Sequence, residues 1–282
     1  MMLGRITRES ALTAWRAASD AGWLTDETGL LDLGSTTSVL STVGSIADLG
    51  AVVQIGHPSR PDPELEHALL SSPPGVQLVA ASVVESDWLW VGPSRGASGH
   101  TVVDEAGMRD CRHRLRAMGV NPHLVPTTMP IEDRISLAGV DGMLVIERDA
   151  VPDGFVELPG SEQLGARPLW YGLVRRVTQS QITEPSRIWL AFGPTIDHRG
   201  SLHAVLGSIA DVGFDLVHLR SHPTHDGPHV FFCAFDAAAS AEVDALLGMF
   251  SSRSVAHRIL AVFPSVVATA DPSALEPRWQ AP

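Results

Sequence analysis

The sequence predicts an α/β protein: an alternating helix–strand region followed by a ferredoxin-like βαββαβ unit. Over roughly the first 173 residues, apolar positions switch repeatedly between helical and strand spacing, as expected of an α/β region with mostly parallel sheets. After Arg187, six segments follow in the order strand, helix, strand, strand, helix, strand. Composition agrees, with 44% hydrophobic and 18% charged residues in a chain of 282, and no apolar run approaches the ~18 residues of a membrane span.

In chain order, Ala11, Ala14, Trp15 and Ala18 give 7–21 helical spacing, 38–49 reads as a short helix and 50–55 as a buried strand. A proline-rich turn precedes a helix over 64–70 and strands over 76–83 and 88–91. Next come a strand at 101–103, a helix at 105–118, a short strand at 123–125, a helix at 131–139 and a strand at 142–146. The stretches 56–63 and 92–99, rich in Gly, Ser and Pro, are expected to cross between two small lobes around a cleft. Residues 174–185 are polar without periodicity, as in a linker.

The C-terminal unit reads as a strand at 187–192, a helix at 200–212 carried by Leu202, Val205, Leu206 and Ile209, strands at 214–219 and 229–235, a helix at 239–250 and a strand at 256–263. Asp197–Gly200 and Asp226–Pro228 supply the turn chemistry. The tail after Ala268 is rich in Pro, Ala and charge. The expected division is 1–175, a linker at 176–186, the ferredoxin-like unit at 187–267 and a tail at 268–282.

All 20 basic residues are arginine, against 32 acidic ones. Without lysine there is no Schiff-base enzyme, no lysine-held pyridoxal phosphate and no P-loop lysine, so an anionic substrate is left to arginine forks, backbone amides or helix N-termini. A net charge of -12 without a basic stripe argues against nucleic acid. The N-terminus has no apolar segment of the signal-peptide kind, and Cys111 and Cys233 suit a reducing cytoplasm as small buried hydrophobes. The histidines of 222–229 straddle a hairpin turn and are read as loop residues rather than metal ligands. No cofactor and no metal are expected.

The C-terminal unit resembles an ACT domain, the amino-acid-sensing module of many biosynthetic enzymes. Asp197-His198-Arg199-Gly200-Ser201-Leu202 is similar to the turn that opens the first helix of the prephenate dehydratase version, and Arg220-Ser221-His222-Pro223 to its glutamate-serine-arginine-proline segment. The resemblance implies an effector site of Gly200, Ser201, Leu202, Arg220, Ser221, His222 and Pro223 for an aromatic amino acid. Arg220 and His222 replace a glutamate and an arginine, which changes the charge a ligand would meet.

The first 175 residues also resemble the prephenate dehydratase catalytic region. Leu3-Gly4, with Ser10, is similar to its opening loop, 47–53 to its alanine-aspartate-tyrosine-glycine strand, Asp110-Cys111-Arg112 to a helical glutamine-cysteine-arginine, and 124–128 to its valine-proline-threonine-serine segment. The fold implied is two α/β lobes of the periplasmic-binding type followed by the ACT domain. The family's catalytic threonine-arginine-phenylalanine is here Leu169-Trp170-Tyr171, and 56–60 replaces an asparagine-serine segment. Prephenate is a dianion with a ring hydroxyl, so any variant of its chemistry needs cations and a proton donor. The catalytic candidates are therefore Ser10, His57, Thr127 and Thr128, and the substrate-binding candidates are Arg5, Arg8, Ser38 and Arg60. Two function classes follow: a lyase on prephenate or a close analogue, including a decarboxylase that keeps the ring hydroxyl, and a non-catalytic amino-acid-binding regulator. A homodimer or homotetramer is expected, with the apolar 230–235 strand in need of cover.

Overall fold

The computed structural model describes residues 2–4, 8–24, 31–32, 35–126, 129–182, 185–196, 198–225 and 227–264. In chain order the elements are β1 (Met2–Gly4), α1 (Arg8–Asp20), β2 (Leu31–Asp32), α2 (Thr36–Ser45), β3 (Gly50–His57), β4 (Arg60–Pro61), α3 (Pro63–Ser71), β5 (Val76–Gly92), β6 (Thr101–Asp104), α4 (Glu105–Ala117), β7 (His123–Val125), α5 (Ile131–Ala138), β8 (Met143–Glu147), β9 (Val156–Glu157), β10 (Ala166–Arg176), β11 (Ser186–Pro194), α6 (Ser201–Val212), β12 (Leu216–His222), β13 (Val230–Ala237), α7 (Ser240–Ser252) and β14 (Val255–Pro264). The chain divides into two compact units, one of Met1–Gly4, Ala21–Ser82 and Trp170–Pro282, the other of Arg5–Asp20 and Val83–Leu169. It passes between them on either side of 5–20, inside β5 and inside β10, not at the glycine- and proline-rich stretches expected to do so.

The first unit is built on one sheet in the order β12-β13-β11-β14-β5-β10-β3-β1-β2. Its one end is parallel, with β1 between β2 and β3, and β10 runs antiparallel to β3. Its other end is the ferredoxin-like unit, all antiparallel from β12 to β14. Strand alternation sends Ile188, Leu190, Phe192, Cys233 and Phe235 to a core beneath α6 and α7. The intervening Trp189, Ala191, Phe232 and Ala234 join a core that also holds Val39 and Leu40 of α2 and Leu65 and Leu69 of α3. The linker expected over 176–186 therefore does not separate two cores. The 230–235 strand lies inside the sheet between β12 and β11, and β12 takes the end position.

The second unit has β6 between β7 and β8 in parallel, with the C-terminal half of β5 antiparallel to β8 and β9. Alternation again makes two layers. Leu89, Val91, Val102 and Leu144 pack with Ile131 and Ile135 of α5, and Trp88, Val103 and Val145 pack with Cys111 and Leu115 of α4. Cys111 is buried in that core, as its sequence setting implied.

Candidate functional site

In open α/β sheets, ligands collect beyond the carboxyl ends of parallel strands. In the first unit the register of Met2 with Leu31 and with Ala51 brings the ends of β1, β2 and β3 to one edge. The α2 N-terminus begins there, capped by Ser35, whose hydroxyl accepts from the Ser38 amide at 3.2 Å and donates to the Ser38 hydroxyl at 2.8 Å. Ser38 is exposed on the first turn, partly occupied by the cap.

At the end of β3 the chain turns on Gly56, whose φ of 75° is left-handed and where an added Cβ would lie 2.9 Å from the Asp62 amide nitrogen. A two-residue hairpin follows, with His57 and Arg60 as cross-strand partners, so both side chains leave the same face. The Ser59 amide donates to His57 Nδ1 at 3.2 Å. That bond makes Nδ1 the acceptor of the neutral ring and assigns its proton to Nε2, so proton exchange with a ligand falls to Nε2. Arg60 is exposed beside it.

The hairpin is gripped from below by β11. Arg187 donates from Nη1 to Ser59 Oγ at 3.1 Å, while its Nε and Nη2 hold Asp236 on the neighbouring strand at 2.6 and 2.8 Å. The Trp189 indole N–H reaches the Pro58 carbonyl at 3.4 Å. Trp170 is 5% exposed and meets the His57 ring edge to face, with centroids 6.4 Å apart. Its Nε1 is a buried donor without a hydrogen-bond partner, and the adjacent Tyr171 is 4% exposed.

In the second unit, Asp104 ends β6 and caps α4 through the Gly107 amide at 2.7 Å. Its other oxygen pairs with Arg134 at 3.2 Å, both side chains almost wholly buried, and Arg134 Nε donates to the Met129 carbonyl at 2.9 Å. Thr127, Thr128 and Arg5 lie outside the described residues. Arg8 and Ser10 fall on α1, with side chains outside the description. The structure thus brings His57 and Arg60 together, and places Ser38 at the same sheet edge.

The effector-type residues divide. Gly200, with φ 94°, starts α6, and the buried Ser201 hydroxyl accepts from the His198 amide at 2.9 Å beside a cavity of about 290 Å³ that Arg253 also lines. Leu202 is partly buried in the core beneath α6. On β12, Ser221 Oγ bonds His229 Nδ1 at 2.6 Å, and Pro223 is exposed. His218, Arg220 and His222 alternate along β12 and turn to Glu66 of α3, whose side chain is fully buried: His218 Nε2 lies 2.9 Å from Oε1, and Arg220 Nη1 and His222 Nε2 each lie 3.1 Å from Oε2. A buried carboxylate requires such partners. The His222–His229 stretch is accordingly split between a carboxylate and a serine, and among the described residues no group of His, Cys, Asp or Glu is arranged to hold a metal.

Sequence reading missed Glu66, Arg187 and Asp236. The available signals were the period-2 histidine-arginine-histidine of 218–222 and the apolar setting of Arg187 in 186–192.

No family model matches the chain, and no curated protein matches it in sequence. Solved structures do. The prephenate dehydratase of Staphylococcus aureus subsp. aureus Mu50 aligns with a TM-score of 0.64 at 13% identity, over 93% of this chain and 100% of its own. The Arthrobacter aurescens prephenate dehydratase in complex with L-Phe gives 0.69 at 16%, over 94% and 90%. GqqA, a novel type of quorum quenching acylase, gives 0.64 at 16%, over 95% and 99%. What is shared at these identities is the fold.

Proposed function

We propose that this chain of prephenate dehydratase fold is a lyase acting on prephenate or a close analogue, with a ferredoxin-like part that takes an aromatic amino acid as effector. The observation that carries the reading is the alignment of nearly the whole chain with nearly the whole of two prephenate dehydratases. Within it, Arg60 is the cation for a substrate carboxylate and His57 Nε2–H the hydrogen-bond donor, two groups on one face of one hairpin. Trp170 and Tyr171, both buried, stand in place of the family's arginine and phenylalanine, and Leu169 in place of its threonine. The Nε2–H of the neutral ring therefore acts as a hydrogen-bond donor, to the leaving hydroxyl or to the water that protonates the ring, as carbon dioxide departs. We place the protein in the cytoplasm, in line with two free buried cysteines, and among the described residues no helix is long and apolar enough to cross a membrane. We further propose a homodimer or homotetramer joined through β12, which ends the sheet and exposes Val217 and Leu219.

Incubation with prephenate tests this. Phenylpyruvate supports dehydration, and a decarboxylated non-aromatic keto acid supports the variant. Loss of turnover in Arg60→Ala and His57→Ala ties either reaction to the hairpin. A second reading is favoured by the equally complete alignment with GqqA: release of an acyl group from an amide. Turnover of an N-acyl amide with none of prephenate decides for it. If neither substrate reacts but L-phenylalanine raises the melting temperature, the chain is the regulatory binder.

A further inference from the structure

A second cavity, of about 460 Å³, opens at the end of the ferredoxin-like sheet where β11 stops, β13 and β14 start and the β12–β13 loop closes over. Its walls are mostly apolar: Leu70 at the end of α3, Ala191, Val230 and Leu260 from three strands, and Pro228 from the loop. Thr224 braces that loop internally, accepting from the Gly227 amide at 3.0 Å and donating to the Pro228 carbonyl at 3.1 Å. The volume falls in the range of small-molecule sites, roughly 300–1,000 Å³.

Among the described residues its polar lining is basic or neutral, with His229 and His257 beside Arg258. Arg258 is the guanidinium of the lining, and among the described residues no acidic side chain lines the cavity. Arg258 donates to the Ser72 carbonyl and hydroxyl at 2.7 and 2.8 Å and to the Pro73 and Val76 carbonyls at 3.0 and 3.1 Å. Ser72 and Pro73 close the C-terminal end of α3, where a cation is favourable, and Val76 begins β5, but each acceptor is a neutral group. Its Nε–H has no hydrogen-bond partner, and burial without a carboxylate holds the guanidinium pKa below its ordinary value. A half-buried cation lacking an anion beside an apolar cavity is complementary to an apolar anion.

We infer that this cavity binds a small aryl or alkyl monocarboxylate that carries no ammonium group. The described lining meets the apolar body and the carboxylate of such a ligand, and among the described residues it offers no anion to pair with the charge that distinguishes an α-amino acid.

The experiment titrates the full chain, by calorimetry, with 3-phenylpropanoate, 3-phenylpropanamide and L-phenylalanine. The carboxylate is expected to bind about tenfold or more tighter than either the neutral amide or the amino acid, the scale of one charge-assisted hydrogen bond. Ala256→Trp, at an exposed lining position, is expected to weaken it by about tenfold or more, and Val230→Trp, which fills a wall, to do the same. His57→Ala and Arg60→Ala leave it unchanged, which separates this site from the hairpin. Should Val230→Trp fail to fold, Ala256→Trp decides. Equal affinity for acid and amide, tighter binding of phenylalanine, binding indifferent to Ala256→Trp, or no heat of binding up to about 10 mM overturns the inference; that last ceiling is already weaker than the roughly 1 mM of a marginal site.

Discussion

Replacing Glu66 by glutamine keeps the size of a fully buried side chain and removes its charge. His218, Arg220 and His222, whose side chains are 12%, 28% and 18% exposed, then face a neutral amide. Hydrogen bonds to a charged group, here those of His218 and His222, contribute about 1.5–3 kcal/mol each, and breaking a buried ion pair such as that of Arg220, which lies 3.1 Å away without a hydrogen bond, costs about 3–5 kcal/mol. The amide oxygen still accepts one bond, so the lower part of that range applies, about 3 kcal/mol. At about 2–4 °C per kcal/mol for a unit of this size, the first melting transition followed by circular dichroism should fall by about 6–12 °C. Arg220→Met introduced into Glu66→Gln removes the stranded cation and should restore a third or more of the loss, and a double-mutant cycle reads that coupling directly. A Glu66→Gln melt within about 2 °C of the parent, or strictly additive substitutions, would refute the view that this carboxylate holds β12 by pairing with Arg220.

Arg187→Met removes the guanidinium that joins Asp236 to Ser59; it should cost about 1–3 kcal/mol in denaturant titrations and lower kcat on any substrate of the hairpin, while Asp236→Asn, which keeps an acceptor, should cost less. Gly172→Ala puts a Cβ 2.4 Å from a Leu78 methyl and 2.8 Å from an Ile55 methyl, so overpacking of about 1–3 kcal/mol should appear in the same titration. Burial pushes the Cys233 thiol pKa far above its unfolded value near 8.5, so its contribution is complete below that pH and declines as pH rises beyond it. A melting temperature that falls between pH 8 and 10, less steeply in Cys233→Ala, checks the sign, and a thiol reagent should label Cys233 only after unfolding.

The ferredoxin-like unit was legible because its signals are local. Helical spacing placed α6 and α7, and the apolar run from Val230 placed β13. The misplaced edge was β12, expected from Phe214 and found from Leu216. Gly213 ends α6 in the left-handed region, and the Phe214 amide bonds back to the Ile209 carbonyl, so Phe214 belongs to the helix cap. The expected strands at 76–83 and 88–91 are one strand, because pairing with β14 at Leu78 and with β8 at 88–91 extends the backbone across the polar Glu85-Ser86-Asp87 between them. The His57 turn was legible from its proline and glycine, and its anchors were not, since Arg187 lies 128 positions from Ser59. Glu66 is 152 positions from His218, and in sequence a glutamate on a short amphipathic helix reads as a solvated face.

Helix α3 is held twice by the C-terminal part of the chain, at mid-helix through Glu66 and at its end through Arg258. Ending the protein before β11 would strand a bare carboxylate, open the C-terminal carbonyls of α3 to water and strip the core of Trp189, Phe232, Leu260 and Phe263. The ferredoxin-like part is therefore no detachable accessory: a chain shortened at 185 should be a degraded or aggregated product rather than a smaller folded protein, and the His57 hairpin rests on the same core as that part.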